Sequence, residues 1–208
     1  MKKSWLMQLK RQMASVLLLL IAVYCGISGG YIWSKAVVAQ VMLRKAWQET
    51  SATQKVRPWP WADTYPVARL LVPQRDVDLV VLAGTTGRSL AFGPGHRVDS
   101  ALPGEVGQSV IAAHRDTHFS FLQHLEIAEE VLVESAGREL LHYQVEALEI
   151  VDQDDLEALS NWGNFVEESL TLVTCYPFDA PIQGAPQRYL VHLTRSEQLG
   201  SPLRRKNL

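Results

Sequence analysis

Cysteine is scarce in this chain: its 208 residues hold only Cys25 and Cys175. The first lies in a long apolar run and the second far downstream in a strand-like segment. No disulfide between them is expected, which excludes a small cysteine-stapled secreted scaffold. Net charge is also small, -2 at neutral pH. A chain without a broad basic field lacks the electrostatic footprint of a nucleic-acid binder, so no nucleic-acid partner is expected. No internal repeat is visible, which argues against a solenoid or propeller. Hydrophobic residues make up 47% and charged residues 20%, so the composition excludes wholesale disorder and provides for one packed core.

What is present first is an apolar run. Met13 to Trp33 reads MASVLLLLIAVYCGISGGYIW and carries no charge. As a helix it would span about 30 Å, the thickness of a bilayer core. Lys2, Lys3, Lys10 and Arg11 precede it with no acid among them. The positive-inside rule then puts the amino terminus in the cytoplasm and the remainder outside, with Tyr31 and Trp33 as interfacial aromatics. A cleaved signal peptide ending near Val37-Val38-Ala39 is the alternative, although the run exceeds the usual signal core of ~7–15 residues. Ala36 to Thr50 has helical spacing and reads as a short stalk. Pro58, Pro60 and Pro66, with Trp59 and Trp61 between them, break helices and favour extended backbone, so this stretch reads as a linker.

Beyond Val67 the signals are those of short strands. Val67–Val72, Asp78–Leu82, Ser109–Ala113, Glu130–Glu134, Glu139–Val151, Ser169–Thr174 and Arg188–Thr194 alternate or run apolar. Gly84, Gly87, Gly93, Pro94 and Gly95 mark a long loop region. Phe119–Leu125 and Asp154–Trp162 are expected to be helical. Many short strands without long intervening helices predict a closed or nearly closed β-barrel rather than a parallel α/β sheet.

Three positions carry candidate chemistry. Leu170 to Cys175 ends a strand on a thiol, and Tyr176-Pro177 then prevents easy continuation. A thiol at a strand end, beside a loop with Pro177, Pro181, Gly184 and Pro186, is rigidly held yet accessible. A cysteine nucleophile requires that, together with a base or cation favouring thiolate. His114 stands at the exit of another apolar strand. Arg188 opens the last strand, where alternation places it on one face with Leu190 and His192.

The segments IAAHRDTHF (111–119), TLVTCYPF (171–178) and RYLVHL (188–193) together resemble the sortase family. They present a strand-exit histidine, a TLxTC cysteine and an arginine on the following strand, in that order. GPGHRVDSALPGEVGQSVIAAHRDTHF (93–119) is similar to the family's run into its histidine. The HRDTHF form resembles sortases of classes C and D, and the YPF after the cysteine resembles the proteobacterial branch. The resemblance covers Val67 to Thr194. It implies an eight-stranded sortase-type barrel with short helices, preceded by one transmembrane helix. It implies a cysteine transpeptidase in which Cys175 attacks a carbonyl in an LPxTG-like signal near a target protein's carboxyl end. A thioester would form, to be resolved by a primary amine. His114 would serve as acid and base, Arg188 would steady the tetrahedral oxygen, and Thr174 would add a hydrogen bond. No metal or organic cofactor is implied.

The expected organisation is then a cytoplasmic basic tail at 1–12, a transmembrane signal anchor at 13–33, and a stalk and Pro/Trp linker at 34–66. A catalytic domain follows at 67–195 and a basic tail at 196–208. The chain would be single-pass in the inner membrane with its domain on the periplasmic side. Two further readings stay open: a cysteine hydrolase of the same motif that uses water, and a tethered β-barrel binding module with an inert Cys175.

Other polar residues have plainer readings. Asp116 could orient His114, against simple solvation. His118, four residues after His114, could share a helical face with it and a metal, but no third ligand is near, and shaping of the loop is expected instead. His96 and His124 read as surface loop residues, His142 and His192 as structural strand residues. Asp152-Gln153-Asp154-Asp155 lacks the spacing of a calcium loop and reads as a solvated turn.

Overall fold

A computed structural model describes residues 2–155, 167–180 and 185–196. It divides into two compact units, residues 1–41 and 42–208. One α-helix, α1 (Lys2–Glu49), runs without a break through the apolar run and the expected stalk. Among the described residues it is the one helix long and apolar enough to cross a membrane, with a mean hydropathy of 2.0 over its best window. At 1.5 Å per residue α1 is about 70 Å long, more than twice a bilayer core.

The second unit is built on a closed barrel of eight strands: β1 (Pro66–Val72), β2 (Val77–Ala83), β3 (Gly95–His96), β4 (Gly107–Ala112), β5 (Glu130–Ser135), β6 (Leu140–Asp152), β7 (Glu168–Tyr176) and β8 (Gln187–Arg195). The order around the barrel is β1-β2-β3-β4-β7-β8-β6-β5, and β5 closes it by pairing with β1. Two pairings are parallel, β2 with β3 and β4 with β7; the rest are antiparallel. The expected barrel is therefore observed. Alternation explains the inward faces: in β1 Ala68, Leu70 and Val72 are buried while Val67, Arg69 and Leu71 are less so. With Leu141, Tyr143, Leu170, Leu172, Val191 and Leu193 they fill one interior.

A helical turn, α2 (Gly87–Leu90), and a 3-10 turn at Ser120–His124 complete the described regular structure that matters here. Residues 156–162 of the helix expected at Asp154–Trp162 lie outside the described residues. β3 is the strand that the pattern missed. It has two residues, too few for a period, and depends on a close approach. A Cβ on Gly95 would lie 2.2 Å from the Gly84 carbonyl oxygen, so only glycine fits there. His96, expected on a surface loop, is instead 3% exposed on β3. Its Nε2 lies 2.8 Å from Ala101 O and 3.2 Å from Ser100 Oγ.

The last turns of α1 belong to the second unit. Leu43 and Trp47 form an apolar cluster with Val80 and Leu82, against which Trp59 and Phe92 pack. Arg138, from the β5–β6 turn, donates from Nη2 to the carbonyls of Trp47, Gln48 and Thr50 at 2.6, 2.9 and 3.0 Å. Its guanidinium also lies 4.5 Å from the Trp47 ring centroid. A cation over the last carbonyls satisfies acceptors that the helix itself cannot, and complements its negative end.

Candidate active site

The site begins with a register. In the β7–β8 ladder Cys175 stands directly opposite Arg188. Directly opposed residues of an antiparallel pair project to the same side of the sheet, so thiol and guanidinium share a face. β4 runs parallel to β7 with Ala112 level with Val173. Ala113 N–H continues the ladder to Val173 O at 3.2 Å. His114 and Cys175 each follow two residues after the last paired position, Ala112 with Val173, on neighbouring segments. The three expected residues thus come from three neighbouring strands, in the order histidine, cysteine, arginine, at one end of the barrel.

Their environments differ. Cys175 is a free, half-buried thiol, and His114 is exposed. Arg188 is half-buried and its fork is already engaged: Nη1 donates to Ala185 O at 2.7 Å and Gln187 O at 2.9 Å, and Nη2 to Gln153 Oε1 at 3.1 Å. These bonds hold the guanidinium at the start of β8 without exhausting its donors. Gln153 also gives its backbone N–H to Pro186 O at 2.8 Å, so it braces both the side chain and the turn before β8. Nothing in the Asp152–Asp155 run marked Gln153 as Arg188's partner.

Thr174 points the other way, into the barrel. It is 2% exposed and its hydroxyl donates to Ala113 O at 2.8 Å. It therefore ties the strand that carries Cys175 to the residue just before His114. Asp116 is exposed. His118 is partly buried close to His114; burial first, and the charge of His114 second, hold its pKa below the ordinary imidazole value. It follows that His118 favours its neutral form beside His114.

On the face opposite Cys175, Tyr176, Phe178 and Tyr189 form an aromatic cluster. Phe178 and Tyr189 rings are 5.3 Å apart in an edge arrangement, and Tyr176 stacks on Tyr189 at 6.2 Å. Phe178 and Tyr189 also pack on the barrel core. Aromatic contacts of this kind stiffen the two strand ends that carry Cys175 and Arg188. The YPF and RY pairs were the sequence signal for them.

Further down the face of Cys175 runs a buried polar chain. Gln108 Nε2 donates to Thr171 Oγ1 at 2.9 Å, Thr171 Oγ1 is 3.3 Å from His192 Nδ1, and His192 Nε2 is 3.4 Å from Glu149 Oε2. His192 is 1% exposed, and burial pushes its pKa down to about 4.

A closed eight-stranded barrel with thiol, imidazole and guanidinium on neighbouring segments at one end defines a candidate cysteine-enzyme site. The comparisons agree with that class. The family model for the sortase domain matches residues 70–196, and the chain belongs to the sortase family. It is 36% identical over 124 residues to Sortase D of Bacillus subtilis (strain 168), a match covering 59% of this chain and 60% of that relative. Sortase A from Corynebacterium diphtheriae superposes with a TM-score of 0.59 at 27% identity, over 68% of this chain and 65% of that one. The Sortase D5 transpeptidase of Clostridium perfringens shares the fold, with a TM-score of 0.62 at 20% identity, over 77% of this chain and 99% of that one.

Proposed function

We propose that the protein is a membrane-anchored cysteine transpeptidase that cleaves an LPxTG-like signal near a target protein's carboxyl end. Cys175 attacks the scissile carbonyl and forms a thioester. His114 donates a proton to the departing amine and later accepts one from the incoming amine. Arg188 offers N–H donors to the tetrahedral oxygen, where charge develops in a site partly shielded from water. Thr174 holds the strand exits together. Asp116 and His118 act at most through the His114 loop. The acceptor is a primary amine, and no cofactor enters the reaction. α1 anchors the chain in the cytoplasmic membrane with the barrel on the outer side.

The observation that carries this reading is the register: Cys175 lies opposite Arg188 on one ladder, and His114 follows the neighbouring strand two residues past Ala112, the partner of Val173. The test uses the full chain in detergent with a fluorescence-quenched LPxTG-containing peptide, with and without an amine acceptor. Intact-mass analysis should find an acyl adduct on Cys175, and the acceptor should become joined to the amino-terminal fragment. No adduct, together with Cys175 alkylation no faster than in the denatured chain, would reject the enzyme reading.

A further inference from the structure

β4 and β7 part company just before the residues the proposed chemistry needs. The paired register ends at Ala112 and Val173, and among the described residues the last backbone bond between the two segments is Ala113 N–H to Val173 O. His114 and Cys175 lie beyond it. Two side-chain bonds take over from there. Thr174 Oγ1 donates to Ala113 O on the near side of His114. On the far side, Arg115 Nη2 donates to Ala180 O at 2.9 Å, in a half-buried setting.

Ala180 closes the turn that follows β7, its N–H reaching Pro177 O at 3.5 Å. That turn carries Phe178, which packs on the core, and it begins two residues after Cys175. Arg115 immediately follows His114. The guanidinium therefore bridges the chain leaving the imidazole to the chain leaving the thiol. Charge-assisted N–H to carbonyl bonds are stronger than neutral ones, and a partly desolvated one is stronger still.

Resting on the reading of Cys175 and His114 as the reacting pair, we propose that Arg115 is a positioning residue for them. It stitches the His114 loop to the Pro177–Ala180 turn where the β ladder no longer can. It touches neither the substrate nor the reacting atoms. Its place next to His114 in HRDTHF would otherwise suggest an exposed surface cation.

The experiment uses the full chain in detergent with Cys25→Ser, so that Cys175 is the one thiol, and iodoacetamide as the probe. Alkylation rate against pH is compared for the parent, Arg115→Ala and Arg115→Lys, beside melting curves and hydrogen exchange over residues 113–119 and 176–180. Arg115→Ala should slow Cys175 alkylation near neutral pH by about tenfold, because small misplacements of paired groups are costly. It should move the pH profile toward that of the denatured chain and raise exchange in both segments, while melting stays cooperative. Arg115→Lys, which keeps a charged donor, should recover part of the rate. An Arg115→Ala profile and exchange pattern identical to the parent would overturn the proposal. So would a loss in both variants that tracks a lowered melting temperature alone. If parent Cys175 labels like the denatured chain, the enzyme reading fails by itself. The stitch is then judged on exchange, and unchanged exchange in Arg115→Ala overturns it.

Discussion

Cys175 and Arg188 are direct partners across the β7–β8 ladder, with side chains on one face of the barrel. The backbone pairing makes this adjacency independent of either side chain's rotamer. Arg188→Ala should lower kcat/KM for peptide cleavage on the order of 10²-fold, the usual effect of losing a donor to a developing oxyanion. Arg188→Lys should restore little, since an ammonium lacks the planar fork. Arg195 provides the control. It pairs with Glu139 and Glu168 at 3.3 and 3.4 Å and lies over Tyr143, away from the thiol. Arg195→Ala should cost stability and leave peptide cleavage intact; the reverse pattern would move the arginine assignment.

Thr174 gives a second prediction. Thr174→Val keeps the shape but removes the bond to Ala113 O, leaving a buried carbonyl short of a donor. Stability should fall by about 1–3 kcal/mol, read as a lower denaturation midpoint with an unchanged slope. Thr174→Ser should retain both the bond and most of the activity.

The third concerns acid. His192 has a folded pKa near 4, below its ordinary value, because the buried neutral form is favoured. Below about pH 6.5 the unfolded chain takes up a proton that the folded chain refuses. Stability should therefore decline as pH falls from about 6.5 to 4, with no further contribution from this group below that. His192→Gln should flatten that part of the curve in urea titrations at stepped pH. A slope unchanged by the substitution would contradict the assignment.

The fourth is at the end of α1. Arg138→Ala removes the donor to three carbonyls and the cation over Trp47. It should lower stability by about 1–2 kcal/mol and expose the segment near Thr50 to protease before the barrel unfolds. Equal protease resistance in variant and parent would show that the cap contributes nothing.

Local pattern was enough for the strand-forming segments, because period-2 burial is written into runs such as Ala68–Leu70–Val72 and Leu170–Leu172. It was enough for the apolar run of α1, since absence of charge is a property of composition. It also drew attention to Cys175 and His114 near strand exits and to Arg188 at a strand start. Pattern could not reach what depends on pairing between distant segments. β3 is too short to have a period and exists because Gly95 permits a close approach, so the burial of His96 was illegible. The approach of the His114 and Cys175 segments follows from a parallel register between β4 and β7, and the Arg115 bond to Ala180 O forms beyond the end of that register. Thr174 faces inward because of strand parity, but its partner Ala113 O is supplied by β4. Side-chain type is a one-dimensional fact; which carbonyl or thiol it meets is decided only when the barrel closes.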